Sequence, residues 1–234
     1  MDHQPKKSSS SGKAKSLRGW ARVRGWIVGS ASETLPAASP QPEPKPSSGE
    51  IPGPLAFRVF GIGLSRTGTT SLTEALKLLG IRTTHFPRSH KDLIAHGGAT
   101  DTPVAVGFAY LDIMYPGSKF ILTVRSDVEA WLDSCEWLWR TYLQDQNEFY
   151  QKIHRALYDS VGFDREKFRT AYFRHLVEVQ RHFAGRPGDL LILDATGGEG
   201  WTKLCPFLGL LEPPLPYPHT NQKLPTSQQP PTGS

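Results

Sequence analysis

From Phe57 onward the sequence predicts an α/β domain: a three-layer, mostly parallel sheet of the P-loop nucleotide-binding type, covered by helices, behind a disordered N-terminal tail. Two observations lead there. Short apolar runs suited to buried strands alternate with stretches of helical periodicity, the pattern of a parallel sheet covered on both faces. The first of those runs also passes into the first helix through a glycine-rich turn, the context a phosphate-binding loop needs.

The elements follow in order. Phe57-Arg58-Val59-Phe60-Gly61-Ile62 is apolar enough for a buried strand. Ser71 to Leu79 comes next as a helix, because Leu72, Ala75, Leu76 and Leu79 recur at helical spacing and Gly80 supplies a stop. Lys119 to Arg125 and Asp189 to Asp194 are two further buried strands, and Arg82 to His85 and Thr102 to Val106 are shorter strand candidates. Helical patterns cover Val128 to Tyr142, Phe149 to Tyr158, Asp164 to Phe183 and Gly200 to Leu208. Ligands of such sheets sit beyond the carboxyl ends of the strands.

Composition divides the 234 residues into a tail (1–54), a folded domain (55–221) and a second disordered tail (222–234). The first tail is rich in Ser and Pro and holds 8 Lys+Arg against 4 Asp+Glu, so it carries +4 of the net +5. The remaining 19 basic and 18 acidic residues nearly cancel, which argues against a nucleic-acid reader. One island, Lys15 to Val28, interleaves basic and aromatic residues. It suits a transit peptide, a weak membrane-surface contact or a solvated tail, and the opening Met1-Asp2 weakens the first of these. The localisation expected is cytoplasmic, or an organelle if that segment is a transit peptide. No run approaches the ~18 apolar residues of a membrane span. Cys135 and Cys205, without any zinc-like spacing, read as buried thiols in a reducing compartment, and no metal site is expected.

The strongest feature is Gly61-Ile62-Gly63-Leu64-Ser65-Arg66-Thr67-Gly68-Thr69-Thr70-Ser71. A helix start presents unpaired N–H groups and the positive end of the helix dipole to an anion. Gly68 lets the backbone wrap closely, Thr69, Thr70 and Ser71 add hydroxyls, and Arg66 adds fixed charge. The Gly63 to Gly68 spacing matches the nucleoside-triphosphatase loop, but Thr69 stands where that loop has its lysine. An ordinary ATPase or GTPase is thereby disfavoured. A small-molecule kinase stays open, since Leu190 to Asp194 is an apolar strand ending in an acid that could hold magnesium.

With arginine ahead of Gly-Thr-Thr, the loop resembles that of the sulfotransferase superfamily, and most closely its small, mostly microbial members. The likeness runs through Gly63 to Leu72, Asp101 to Val104, Tyr115 to Arg125, Gly198 to Trp201, Pro206 to Gly209 and Pro218 to Asn221, from about Phe57 to Asn221. It implies 3′-phosphoadenosine 5′-phosphosulfate as co-substrate and no metal. Arg66, Thr67, Gly68, Thr69, Thr70 and Ser71 would hold the 5′-phosphosulfate, and Arg125, with a serine of the next helix, the 3′-phosphate. The family places that serine at what is here Asp133, whereas this chain has Ser134. One residue is a ~100° turn of a helix, so Ser134 reaches the phosphate only if the turn after Arg125 absorbs an extra residue. Without that, binding of the 3′-phosphate is called into question, and a non-catalytic nucleotide-binding module stays open as an alternative.

Sulfuryl transfer needs positioning, charge stabilisation and a base near the acceptor hydroxyl or amine. Arg66 answers the second need. His85 and Asp101, both at strand ends, are alternative bases. His154, His175 and His182, on helical stretches, read as surface or packing residues, and Trp201 and Phe207 as core. The acceptor, a small molecule, carbohydrate or lipid, would meet Phe86 to Gly98 and the helices from Trp137 to Tyr172.

Overall fold

The structure, a computed structural model, describes residues 57–220. The expectations for the two tails and for the Lys15–Val28 island lie outside these residues. Five parallel strands form one sheet in the order β2-β3-β1-β4-β5: β1 (Val59–Gly61), β2 (Thr83–His85), β3 (Gly98–Thr100), β4 (Lys119–Thr123) and β5 (Leu190–Leu193). All pairings are parallel, so every carboxyl end lies along one edge. The predicted three-layer α/β architecture is the one observed.

Side-chain alternation along the strands separates the two faces. Val59, Ile121 and Leu193 pack with Leu72, Ala75 and Leu76 of α1 (Thr69–Leu78) and with Trp201, Leu204 and Leu208 of α8 (Gly200–Leu208). Phe60, Phe120 and Leu122 face the other way. They meet Val104 of α3 (Thr102–Val106), Leu111 of α4 (Phe108–Met114) and Val179 of α7 (Arg165–His182). Between Ser89 and Ala95 a short α2 (His90–Ile94) is capped by the Ser89 hydroxyl, which accepts from the Asp92 amide.

A third cluster lies beyond the sheet edge, where α5 (Val128–Tyr142) and α6 (Glu148–Tyr158) pack on α7. Each helix starts at a side-chain cap: Asp127 accepts from Ala130, Asn147 from Tyr150, and Asp164 from Glu166 and Lys167. Their buried faces recur at three- and four-residue spacing, as in Phe168, Ala171, Tyr172, His175 and Val179. The Tyr158 and Phe168 rings stack at 4.2 Å, and Trp139 meets both edge-on. Trp139 is therefore core. Its sequence neighbours Trp137 and Tyr142 are exposed.

Thr102–Val106 is a helix, not the strand predicted, and the strand is the preceding Gly98–Thr100. Asp101 caps the helix by accepting from the Thr102 amide, and a proline in the first turn costs no hydrogen bond there. The strand was hidden by its own glycine. A Cβ at Gly98 would lie 3.0 Å from the Val59 carbonyl oxygen and 2.9 Å from the Thr83 hydroxyl, so the central strands approach only if that position is bare. The short helices α2 and α4 were not anticipated either.

The two interior histidines are packing residues, as predicted. His175 Nε2 donates to the Ile62 carbonyl at 2.7 Å, and His154 hydrogen-bonds the Gln146 amide oxygen beneath Trp139. Burial holds the His154 pKa down to about 4 and pushes that of His175 the same way. A histidine depressed in the fold contributes stability above its unfolded pKa and loses it as pH falls toward the folded one. Acidification from pH 7 to 4 is therefore expected to cost about 3 kcal/mol through His154 alone. Urea unfolding across that range checks this, and His154→Gln should flatten the slope.

Candidate functional site

Each strand end supplies one wall of a single cavity of about 740 Å³. β1 leads into the loop and helix start at Ser65 to Ser71, β2 ends on His85, β3 is followed by Asp101, β4 by Arg125, and β5 by Ala195 and Thr196. The α5 face adds Ala130, Asp133, Ser134 and Leu138, and the segment after α8 adds His219 and Thr220.

The loop after β1 is built for an anion. Gly68 holds the cap position of α1 at φ 100°, a conformation that favours glycine, and has no side chain to cap the helix. Thr69, Thr70 and Ser71 of the first turn line the cavity, at the positive end of the helix dipole. Arg66 is also left-handed, at φ 66°, and its Nε donates to the Ser134 hydroxyl at 2.9 Å. The exposed Trp137 ring lies 5.6 Å from its guanidinium carbon. Burial lowers the Arg66 pKa, with the repulsion of nearby Arg125 acting in the same direction. Among the described residues neither arginine has a carboxylate within ion-pair distance. Two guanidiniums in one crevice, one of them partly buried, carry a cost that a bound dianion would offset.

Thr67 departs from expectation. Its hydroxyl donates to the Leu64 carbonyl at 2.7 Å and lies 2.7 Å from the Thr123 hydroxyl, so the buried side chain staples the loop to β4 and faces away from the cavity. Arg66, Gly68, Thr69, Thr70, Ser71, Arg125 and Ser134 do line it. Ser71 is further tied to the segment after α8: its hydroxyl accepts from the Thr220 amide and touches the Thr220 hydroxyl, both at 3.1 Å. In the sequence His219 and Thr220 belong to a matching motif that carries no sign of a role at the site. The distance of 149 residues between Ser71 and Thr220 hid the contact.

Ser134 lines the cavity despite its one-residue offset. Because Asp127 caps α5, the residues from Arg125 to Asp127 form the turn, and Ser134 enters the cavity buried against Arg66. Asp133 sits at the rim and its carboxylate is held by Arg165 at 2.8 Å. The serine is thus available to the site at its shifted position.

The two base candidates are one pair. His85 Nε2 lies 3.2 Å from Asp101 Oδ2 and 3.4 Å from the Thr70 hydroxyl. On the other side of the ring, Nδ1 lies 3.2 and 3.1 Å from the Thr73 and Thr100 hydroxyls. Asp101 also accepts from the Thr102 amide at 2.8 Å and from the Thr69 hydroxyl. Its backbone, at φ 85° and ψ −178°, occupies a region almost exclusive to glycine and is strained by roughly 1–3 kcal/mol. Burial pushes its carboxyl above the usual carboxylate value, with the neighbouring imidazole pulling the other way. A strained, buried acid against a half-exposed histidine is an arrangement for moving protons.

Asp194, which would hold magnesium in a kinase, is spent on the turn after β5. Its oxygens accept from the Ser126 amide, the Thr196 hydroxyl and the Gly197 amide at 2.8–2.9 Å. Among the described residues, no three His, Cys, Asp or Glu side chains converge as metal ligands. No helix among them is long and apolar enough to cross a membrane.

The profile of the sulfotransferase domain matches residues 58–98 and 91–224, the whole described domain. The chain belongs to the sulfotransferase family. A relative in Aspergillus versicolor, Ava biosynthesis cluster protein M, is 26% identical over 213 residues, spanning 70% of this chain and 80% of the relative. In this chain the matched region contains every strand and every cavity wall described above.

Proposed function

We propose that the protein transfers a sulfuryl group to a hydroxyl or amine of a small-molecule, carbohydrate or lipid acceptor. The donor in this reading is 3′-phosphoadenosine 5′-phosphosulfate, which supplies the sulfuryl group when bound. One observation carries the reading: a helix start without a side-chain cap and two guanidiniums without carboxylate partners among the described residues converge on a nucleotide-sized cavity that also holds the His85–Asp101 pair.

The residues divide the work. Arg66 and the first turn of α1 hold the 5′ anion and stabilise the charge that grows there as the sulfur–oxygen bond breaks. Arg125 and Ser134 hold the 3′-phosphate. A planar guanidinium fork suits that group. The His85–Asp101 pair takes the acceptor proton: Nε2 and the Asp101 carboxylate face each other at 3.2 Å, and the Thr73 and Thr100 hydroxyls hold Nδ1. Leu138 and the exposed Trp137 border the acceptor entrance. The saturated Asp194 carboxylate leaves the phosphoryl-transfer alternative with little support.

Incubating the full chain with isotopically labelled donor and cell extract, followed by mass spectrometry of sulfated products, tests the proposal. Labelled products absent from a His85→Ala control are expected. Donor binding with no transfer to any acceptor would turn the reading into that of a binding module. Transfer of phosphate from magnesium-bound ATP would replace it.

A further inference from the structure

Two tyrosines of the helical layer reach the anion site through the backbone. Tyr158, at the end of α6 and fully buried, accepts a hydrogen bond from the Ser65 amide at 3.2 Å. The indole Nε1 of Trp131 donates to the carbonyl of that same Ser65 at 2.8 Å. Both backbone polar groups of the residue before Arg66 are thereby fixed, just where the chain turns left-handed. Tyr172, on α7, does the equivalent for the second arginine. Its hydroxyl accepts from the Arg125 amide at 3.1 Å and donates to the Arg125 carbonyl at 2.8 Å. Tyr172 and Trp131 are themselves in ring contact at 4.8 Å.

A phenylalanine would fill either space as well, so core packing does not explain the hydroxyls. Tyr217 provides the contrast: its buried hydroxyl has no hydrogen-bond partner among the described residues. In Tyr158 and Tyr172 the single polar atom is used on the peptide that precedes, or belongs to, an arginine of the cavity.

We propose that Tyr158 and Tyr172 are positioning residues for the donor, fixing the separation of Arg66 and Arg125 so that the site selects a nucleotide with an anion at both its 5′ and 3′ positions. The inference rests on the donor reading above. The helical layer, not the sheet alone, then sets nucleotide selectivity, and each tyrosine governs one end of the ligand.

The test compares binding of adenosine 3′,5′-bisphosphate and adenosine 5′-monophosphate to the full chain. Wild-type protein should prefer the bisphosphate. Tyr172→Phe should cut that preference about tenfold, the size of one misaligned charge-assisted contact, with monophosphate affinity unchanged. Tyr158→Phe should weaken both nucleotides about tenfold, and this effect should vanish in an Arg66→Ala background, where the two substitutions would act on one contact. Tyr217→Phe should alter neither affinity. The preference is a ratio within one protein, so lowered stability does not move it, and Trp131→Phe repeats the Ser65 test from the carbonyl side. A wild-type preference that persists in Tyr172→Phe, or a Tyr158→Phe effect that simply adds to Arg66→Ala, overturns the proposal and leaves the donor reading standing. A wild-type chain that binds neither nucleotide removes both.

Discussion

Replacing Arg66 by alanine is expected to weaken binding of adenosine 3′,5′-bisphosphate by about 10- to 100-fold and to lower turnover by about 10²–10³. The first figure follows from losing hydrogen bonds between a fixed cation and an anion, roughly 1.5–3 kcal/mol. The second reflects charge that develops only as the donor bond breaks, where a preorganised donor counts for more than in the ground state. Arg66 is suited to that role because its cost is already met. It is partly buried with Arg125 nearby, lies at φ 66°, and is held at Nε by Ser134, which leaves the terminal nitrogens of the fork for a ligand. Arg66→Lys should recover binding only in part, since an ammonium keeps the charge and loses the planar fork. Calorimetric titration of the three proteins reads this directly. Equal affinities would remove Arg66 from the site.

Loss of the His85–Asp101 pair should be the larger defect in turnover. General-base catalysis is worth about 10²–10⁴, so His85→Ala is expected to lose that factor with little change in bisphosphate affinity. Asp101→Asn keeps the shape and an acceptor for the Thr102 amide, and should cost less if the histidine takes the proton. The reverse order, a severe Asp101→Asn and a mild His85→Ala, would make the carboxylate itself the base. Stability supplies an independent check. Because burial raises the Asp101 pKa in the fold, its contribution is favourable below the unfolded value and is lost as pH rises through the folded one. The unfolding free energy of Asp101→Asn relative to wild type should therefore increase as pH rises above about 4.

The parts of this site that were legible in the sequence were the local ones. A strand, a glycine-rich turn and a helix follow one another within Val59 to Leu78, and an arginine follows the apolar run of β4, so these stretches carry their own context. Periodicity found the long helices because they bury one face over several turns. Five residues such as Thr102 to Val106 are too few for an apolar run to distinguish helix from strand, and the cap that decides it comes from Asp101. The pairing of His85 with Asp101 depends on β2 lying beside β3 with His85 opposite Thr100, a register that no local signal encodes. The inward turn of Thr67 and the contact between Ser71 and Thr220 are likewise products of packing. Ser134 shows the limit from the other side. Counting from a family pattern puts it one residue off, and only the packed fold shows it lining the cavity against Arg66.

Everything proposed for catalysis depends on one anion-binding crevice at the start of α1. Titrating the purified full chain with adenosine 3′,5′-bisphosphate, with and without magnesium, probes it most directly. One molecule should bind per chain, equally well without the metal, and more tightly than ATP. No detectable binding, or tight binding of ATP only when magnesium is present, would contradict the assignment.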